Sequence, residues 1–117
     1  MSEPDNYVPG VGNRHAKLLI LGEGPAKEEV RQKVPFVGPS GRELDRILAD
    51  VGIPRGECWL TNVSKYPIPP NPKGVRIPVL RRAESVGINL AEQIQHLQVE
   101  INEVQPNCIL SLGGTAL

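Results

Sequence analysis

At 117 residues the chain has room for one compact core. Lys+Arg and Asp+Glu balance at 13 each, so no whole-chain field draws it to a polyanion or a membrane surface, and any such site must be a local patch. The two cysteines, Cys58 and Cys108, sit inside apolar runs, which excludes a disulfide or zinc framework and reads as two reduced core thiols.

No signal region precedes Lys17, and no stretch reaches the about 18 apolar residues that a spanning helix needs. A soluble, cytoplasmic, monomeric protein with no membrane partner is expected. Residues 1–16 hold Pro4, Pro9, Gly10 and Gly12 with little periodicity and read as an extended lead-in to a domain over 17–117. Leu18-Leu19-Ile20-Leu21 is a short unbroken apolar run, the pattern of a strand covered on both faces. A loop is expected through Gly38. Ser40 and Glu43 then have capping-box spacing, and Leu44, Ile47, Leu48 and Val51 form one helical stripe, predicting a helix from about Gly41 to Val51 closed by Gly52 and Pro54.

Cys58 to Val63 predicts a second strand. Five prolines between residues 64 and 78 deny the backbone donors that a helix or central strand requires, so this segment reads as a stiff loop. Asn89, with Glu92 three residues on, opens a second predicted helix whose stripe is Leu90, Ile94, Leu97, Ile101 and Val104. Cys108 to Leu112 is the third predicted strand, and Gly113-Gly114 leads toward a further helix.

Alternating strands and helices with long crossovers imply a three-layer α/β/α sandwich on a central parallel sheet. Ligands in such sheets sit beyond the carboxyl ends of the strands, which singles out the loop after Leu21, the loop from Asn62, and Gly113-Gly114. A third strand with no helix after it reads as the front portion of a longer domain, its C-terminal part missing.

Several residues at those ends could carry chemistry. Glu23 and Gly24 follow the buried first strand, where a carboxylate can reach a ligand, although a solvated strand exit would look the same. Phe36 is the sole phenylalanine, mounted between Pro35 and Gly38 as a platform for a flat base or as a lid on the core. Asn62 ends an apolar strand. Its carboxamide offers a donor and an acceptor side by side, matching the O4 and N3–H edge of uracil and not that of cytosine, whereas a turn-capping Asn is the plainer role.

Gly38-Pro39-Ser40-Gly41 opens a helix whose free N–H groups would suit a phosphate. From Lys65 to Arg82 there are five basic residues, Lys65, Lys73, Arg76, Arg81 and Arg82, and no acidic one, while Ala83 to Pro106 carries Glu84, Glu92, Glu100 and Glu103 and no Lys or Arg. A basic, proline-stiffened loop beside a base pocket suits backbone gripping. The candidate DNA contacts are Pro39, Ser40, Gly41, Lys65, Lys73, Arg76, Gly113 and Gly114.

The segments AKLLILGEGPAKEEVRQKVPFVGPSGRELDRIL, WLTNVSKYPIPPN and ILSLGGTAL resemble, in order and spacing, successive motifs of the family 4 uracil-DNA glycosylases and their phage-polymerase-associated relatives, from about Val8 to Leu117. The resemblance implies that Glu23 and Gly24 position the attacking water, that Phe36 stacks on a flipped uracil and that Asn62 reads its edge. The implied reaction is hydrolysis of the N-glycosidic bond of uracil in DNA, leaving an abasic site, with the nucleotide swung out of the stack.

The chain departs from the pattern in three respects. Ala26 stands where a second glycine is usual. Family 4 enzymes hold a [4Fe–4S] cluster on four cysteines, but here Tyr66 occupies one ligand position and no Cys lies between Arg82 and Asn89, so no cluster and no metal site are expected. The closing motif, with a histidine that polarises the uracil carbonyl, does not occur in this sequence, and neither His15 nor His96 replaces it; this stretch is expected to excise poorly by itself. Two other readings remain: a non-catalytic uracil- or nucleic-acid-binding module of a polymerase-associated or phage protein, and an unrelated nucleotide-binding α/β enzyme. Against the latter, Gly22-Glu23-Gly24-Pro25 lacks G-x-G-x-x-G spacing.

Overall fold

A computed structural model of the chain describes residues 6–112. Among the described residues four strands form one sheet: β1 (Val11–Gly12), β2 (Leu18–Gly22), β3 (Trp59–Asn62) and β4 (Cys108–Ser111), in the order β1-β3-β2-β4. The helices are α1 (Lys27–Gln32), α2 (Pro39–Val51), α3 (Val79–Glu84) and α4 (Leu90–Val104), with a 3-10 turn at Arg55–Glu57. Central β2 pairs in parallel with β3, Gly22 opposite Asn62, and with β4, Leu18 opposite Cys108.

The period of two in β2 divides the core. Leu19 and Leu21 point with Trp59 toward Leu97 and Val104 of α4. Ile20 points the other way, with Cys58 and Leu60, onto Phe36 and onto Leu44 and Leu48 of α2. Leu19, Ile20 and Leu44 are fully buried, and each such side chain contributes about 1.5–3 kcal/mol from removed apolar surface. Helices on both faces of the sheet give the expected three layers, and the three strands legible in the sequence run parallel.

Other expectations are corrected. The sheet is mixed, because β1 pairs antiparallel with β3, Val11 opposite Leu60. The boundary suggested at residue 16 is redrawn as well. Val8 is fully buried and donates its N–H to the Lys65 carbonyl, and Ala16 is also buried, so the lead-in belongs to the fold from Val8. Helix α2 starts at Pro39, with Gly38 as N-cap and no side-chain cap, so Ser40 lies inside the first turn and makes no capping box. Proline suits that first position because its missing N–H would have had no helical partner.

Helices α1 and α3, six residues each, are additional to the expected elements. Cys58 is buried as a core thiol, but Cys108 is exposed at the start of β4. Asn89 caps α4 as expected, its side-chain oxygen accepting from the Glu92 N–H at 3.1 Å. No helix among the described residues is long and apolar enough to cross a membrane.

Candidate active site

The carboxyl ends of β2 and β3 meet where Gly22 faces Asn62. A Cβ on Gly22 would collide with Asn62 Oδ1 and lie 3.0 Å from Phe36 Cζ, so the missing side chain is what lets the ring and the carboxamide converge. Asn62 is 4% exposed, yet among the described residues no hydrogen bond engages its carboxamide, and it is not a polar group sealed off from solvent. A buried amide kept open in this way is poised for an incoming partner, since an amide with no partner at all would cost stability. The turn-capping role for Asn62 has no contact to support it.

Phe36 stands on a strained backbone, at φ 56, where residues with a Cβ seldom sit. Three neighbours hold it there. The Arg55 guanidinium donates to the Pro35 carbonyl at 3.0 Å and to the Phe36 carbonyl. Gly41 packs so closely that a Cβ would collide with the Phe36 carbonyl. Glu29, 4% exposed, gathers the Ala26, Val37 and Gly38 N–H groups at 2.9, 3.1 and 2.6 Å. Phe36 is 4% exposed and its side chain joins the α2-side core, so it is lid and candidate platform at once.

Those contacts revise the anion seat expected at the start of α2. The Val37 and Gly38 N–H groups already bind the Glu29 carboxylate, and Gly41 is buried against Phe36, whereas Pro39 and Ser40 are exposed.

Glu23 lies just past β2, its carbonyl accepting the Ser64 N–H at 3.0 Å. Its carboxylate faces Arg82 of α3, with Oε1 and Oε2 each 3.4 Å from a guanidinium nitrogen. Nothing in the sequence distinguished Arg82 from its basic neighbours. Gly24 is less constrained, because a Cβ there would make ordinary contacts at 3.4 Å or more with Tyr66 and Ile68.

Lys65 is a correction. Its side chain is 8% exposed, and its ammonium donates to the Asn62 carbonyl at 2.7 Å and pairs with Glu100 at 2.9 Å, so it faces the fold and not a DNA backbone. Glu100 also accepts from Trp59 Nε1 at 2.7 Å and Thr61 Oγ1 at 3.0 Å. Of the five basic residues from Lys65 to Arg82, Lys73, Arg76 and Arg81 remain exposed, while Arg82, like Lys65, is buried. Gly113 and Gly114 lie outside the described residues.

The residues present do not fit a four-thiolate cluster. Tyr66 packs edge-on against Tyr7 with ring centroids 5.4 Å apart, and Val86 is exposed without a ligating atom. Cys58 precedes β3 and Cys108 opens β4, both at the amino ends of the parallel strands, whereas Tyr66 follows the carboxyl end of β3. Among the described residues no group of three or more His, Cys, Asp or Glu is placed to hold a metal ion.

The model of the Uracil DNA glycosylase superfamily matches residues 9–117. A Type-4 uracil-DNA glycosylase of Archaeoglobus fulgidus is 37% identical over 111 residues, which cover 95% of this chain and 50% of that protein. Another, of Thermotoga maritima, is 35% identical over 112 residues, covering 96% and 53%. A DNA polymerase of Bacillus phage SP01 is 30% identical over 111 residues, covering 94% of this chain and 11% of the polymerase. The chain spans about half the length of these glycosylases.

Proposed function

The chain belongs to the uracil DNA glycosylase superfamily, and on that premise we propose that it carries the base pocket of a DNA repair enzyme that hydrolyses the N-glycosidic bond of deoxyuridine. The observation that carries the reading is the convergence of Phe36 and the open Asn62 carboxamide over Gly22, next to Glu23.

Each group has a part in the reaction. The target nucleotide leaves the stack, at a cost of a few kcal/mol, because the bond is out of reach inside a duplex. Asn62 donates its amide N–H to uracil O4 and accepts from N3–H, a pairing that cytosine reverses. The Phe36 ring stacks on the captured base. With Phe36 only 4% exposed before capture, that contact is made on binding and not displayed beforehand.

As the C1′–N1 bond breaks, its electron pair leaves with uracil as an anion and the sugar takes on positive character. The Glu23 carboxylate stabilises that charge and orients the water whose oxygen bonds to C1′. The proton that this water gives up is balanced by protonation of the uracil anion, leaving an abasic sugar and neutral uracil. The exposed Lys73 and Arg76, on the proline-stiffened loop, grip phosphates. No step runs through an iron–sulfur cluster, and we propose that the protein contains none.

A second reading rests on the likeness to the phage polymerase: a module that binds uracil in DNA without cleaving it. One experiment separates the two. An oligonucleotide with a single deoxyuridine is incubated with the full-length protein and then with alkali. Cleavage at the uracil position, absent with cytosine or thymine there, supports the enzyme. Uracil-selective binding without cleavage supports the module, and the absence of both ends the base-pocket assignment.

A further inference from the structure

We infer that Arg82 is a positioning residue for Glu23, coupling that carboxylate to the proline loop. The inference rests on the proposed role of Glu23. Arg82 sits on α3, 59 residues from Glu23, and its side chain is only 7% exposed, against 25% for the carboxylate it faces.

All three guanidinium nitrogens are engaged. Nε donates to the Ile77 carbonyl at 2.9 Å, NH1 to the Pro69 carbonyl at 3.0 Å, and NH1 and NH2 also reach Glu23 Oε2 and Oε1 at 3.4 Å. The planar fork therefore fixes two carbonyls of the loop and the orientation of one carboxylate.

Two features make this positioning and not plain packing. First, 3.4 Å is longer than the about 2.7–2.9 Å of a closed charge-assisted pair, so Arg82 aims the carboxylate without saturating it. An ionised carboxylate has about four lone-pair sites, and those not facing Arg82 stay open toward water and sugar. Second, the carbonyls that Arg82 holds belong to the loop that carries the exposed Lys73 and Arg76, so the segment offered to phosphates and the carboxylate offered to the sugar share one anchor.

The test compares the parent with Arg82→Lys, Arg82→Met, Glu23→Gln and the Glu23→Gln/Arg82→Met double variant. Single-turnover excision from a deoxyuridine oligonucleotide is one readout. The other needs no activity: the NMR order of the Glu23 side-chain methylenes, with the β2 backbone as internal control. Arg82→Met should lower excision on the order of tenfold to a hundredfold, as expected of a misaimed group. Arg82→Lys should recover part of the loss, and Arg82→Met should cost nothing further once Glu23 is Gln.

The Glu23 methylenes should lose order in Arg82→Met while β2 stays rigid. Methylenes equally ordered without Arg82, or losses that multiply in the double variant, overturn the inference. If Glu23→Gln excises like the parent, the role of Glu23 in hydrolysis fails instead; in that case, and with a parent that does not excise, the order measurement alone decides whether Arg82 positions the carboxylate. A variant that fails to fold shows itself in β2, leaving Arg82→Lys, which keeps the charge and loses the fork, to decide.

Discussion

The Lys65 ammonium donates to the Asn62 carbonyl at 2.7 Å and at the same time pairs with Glu100. A lysine that reads in the sequence as part of a phosphate grip thus braces the strand end from which Asn62 projects.

Breaking this brace should cost stability before anything else. Lys65→Met leaves Glu100, its side chain 14% exposed, with only Trp59 and Thr61 as donors, and removal of one partner of a fully buried pair typically costs about 3–5 kcal/mol. Those two surviving donors place the expected loss at the lower end. Urea denaturation of Lys65→Met beside Lys65→Met/Glu100→Gln checks it, because the double variant should regain part of the loss.

DNA binding should separate the basic residues by exposure. Each phosphate contact contributes about one unit to the slope of log affinity against log salt. Lys73→Ala and Arg76→Ala should each lower that slope by about one, and folded Lys65→Met should leave it unchanged. Titrations of a fluorescent oligonucleotide at several salt concentrations give the slopes, and a Lys65 variant with a reduced slope would restore that residue to the DNA surface.

Asn62→Asp should abolish base reading. No protein hydrogen bond among the described residues depends on the carboxamide, so any fall in melting temperature should come from placing a charge at a position only 4% exposed and not from a lost contact. A carboxylate cannot donate to O4 and stands against the oxygen where negative charge develops, so single-turnover excision should fall on the order of a hundredfold. Early melting with parental excision per folded molecule would instead make Asn62 structural.

Phe36→Ala would be a poor probe of stacking. The ring belongs to the core, and truncating such a residue costs about 3–5 kcal/mol whatever it does for a base. Phe36→Leu keeps most of the volume and removes the flat face. It should weaken capture of a deoxyuridine oligonucleotide by the about 1–3 kcal/mol of a base–aromatic stack, with a smaller change in melting temperature. Equal binding by Phe36→Leu and the parent would reduce the ring to packing.

The two thiols should differ in reactivity. Iodoacetamide should modify exposed Cys108 first, and Cys108→Ser should remove the fast phase. Burial, helped by Glu57 and opposed by Arg55, pushes the Cys58 thiol above its ordinary value. In the unfolded chain it ionises near about 8.5, while the folded protein still holds the proton. The unfolded state then binds fewer protons, so this thiol's contribution to stability is complete below that pH and declines above it by at most about 1.4 kcal/mol per unit. Denaturation of Cys108→Ser at a series of alkaline pH values, against the same protein carrying Cys58→Ala, isolates the slope.

The long periodic elements were legible because burial imposes its period on the chain. Leu18 to Leu21 and the stripe Leu90, Leu97, Ile101 and Val104 declare a covered strand and an amphipathic helix without reference to anything distant, although Ile94, read in the same stripe, is 50% exposed. Helices α1 and α3 were not, because six residues are too few to display a helical period. The contrast between Lys65 and Lys73 was equally hidden. Both stand in one basic run, and only tertiary structure places Glu100 against the first and solvent against the second. The roles of Gly22 and Gly41 as gaps that admit Asn62 and Phe36 depend on atoms far apart in sequence or on an unusual backbone angle, which no local pattern records.

The polar ties of the site also differ in how much chain must close to make them. Glu29 reaches Gly38 across nine residues, while Arg82 reaches Glu23 across 59. On loop-closure scaling the longer tie costs roughly 1.7 kcal/mol more entropy to form. The Glu29 tie can therefore close first, from local chain alone, whereas Phe36 is seated only when Arg55 and the sheet reach it, and the carboxylate acquires its orientation only when α3 docks. A nascent or partly unfolded chain would carry the Glu29 tie with Glu23 still unaimed.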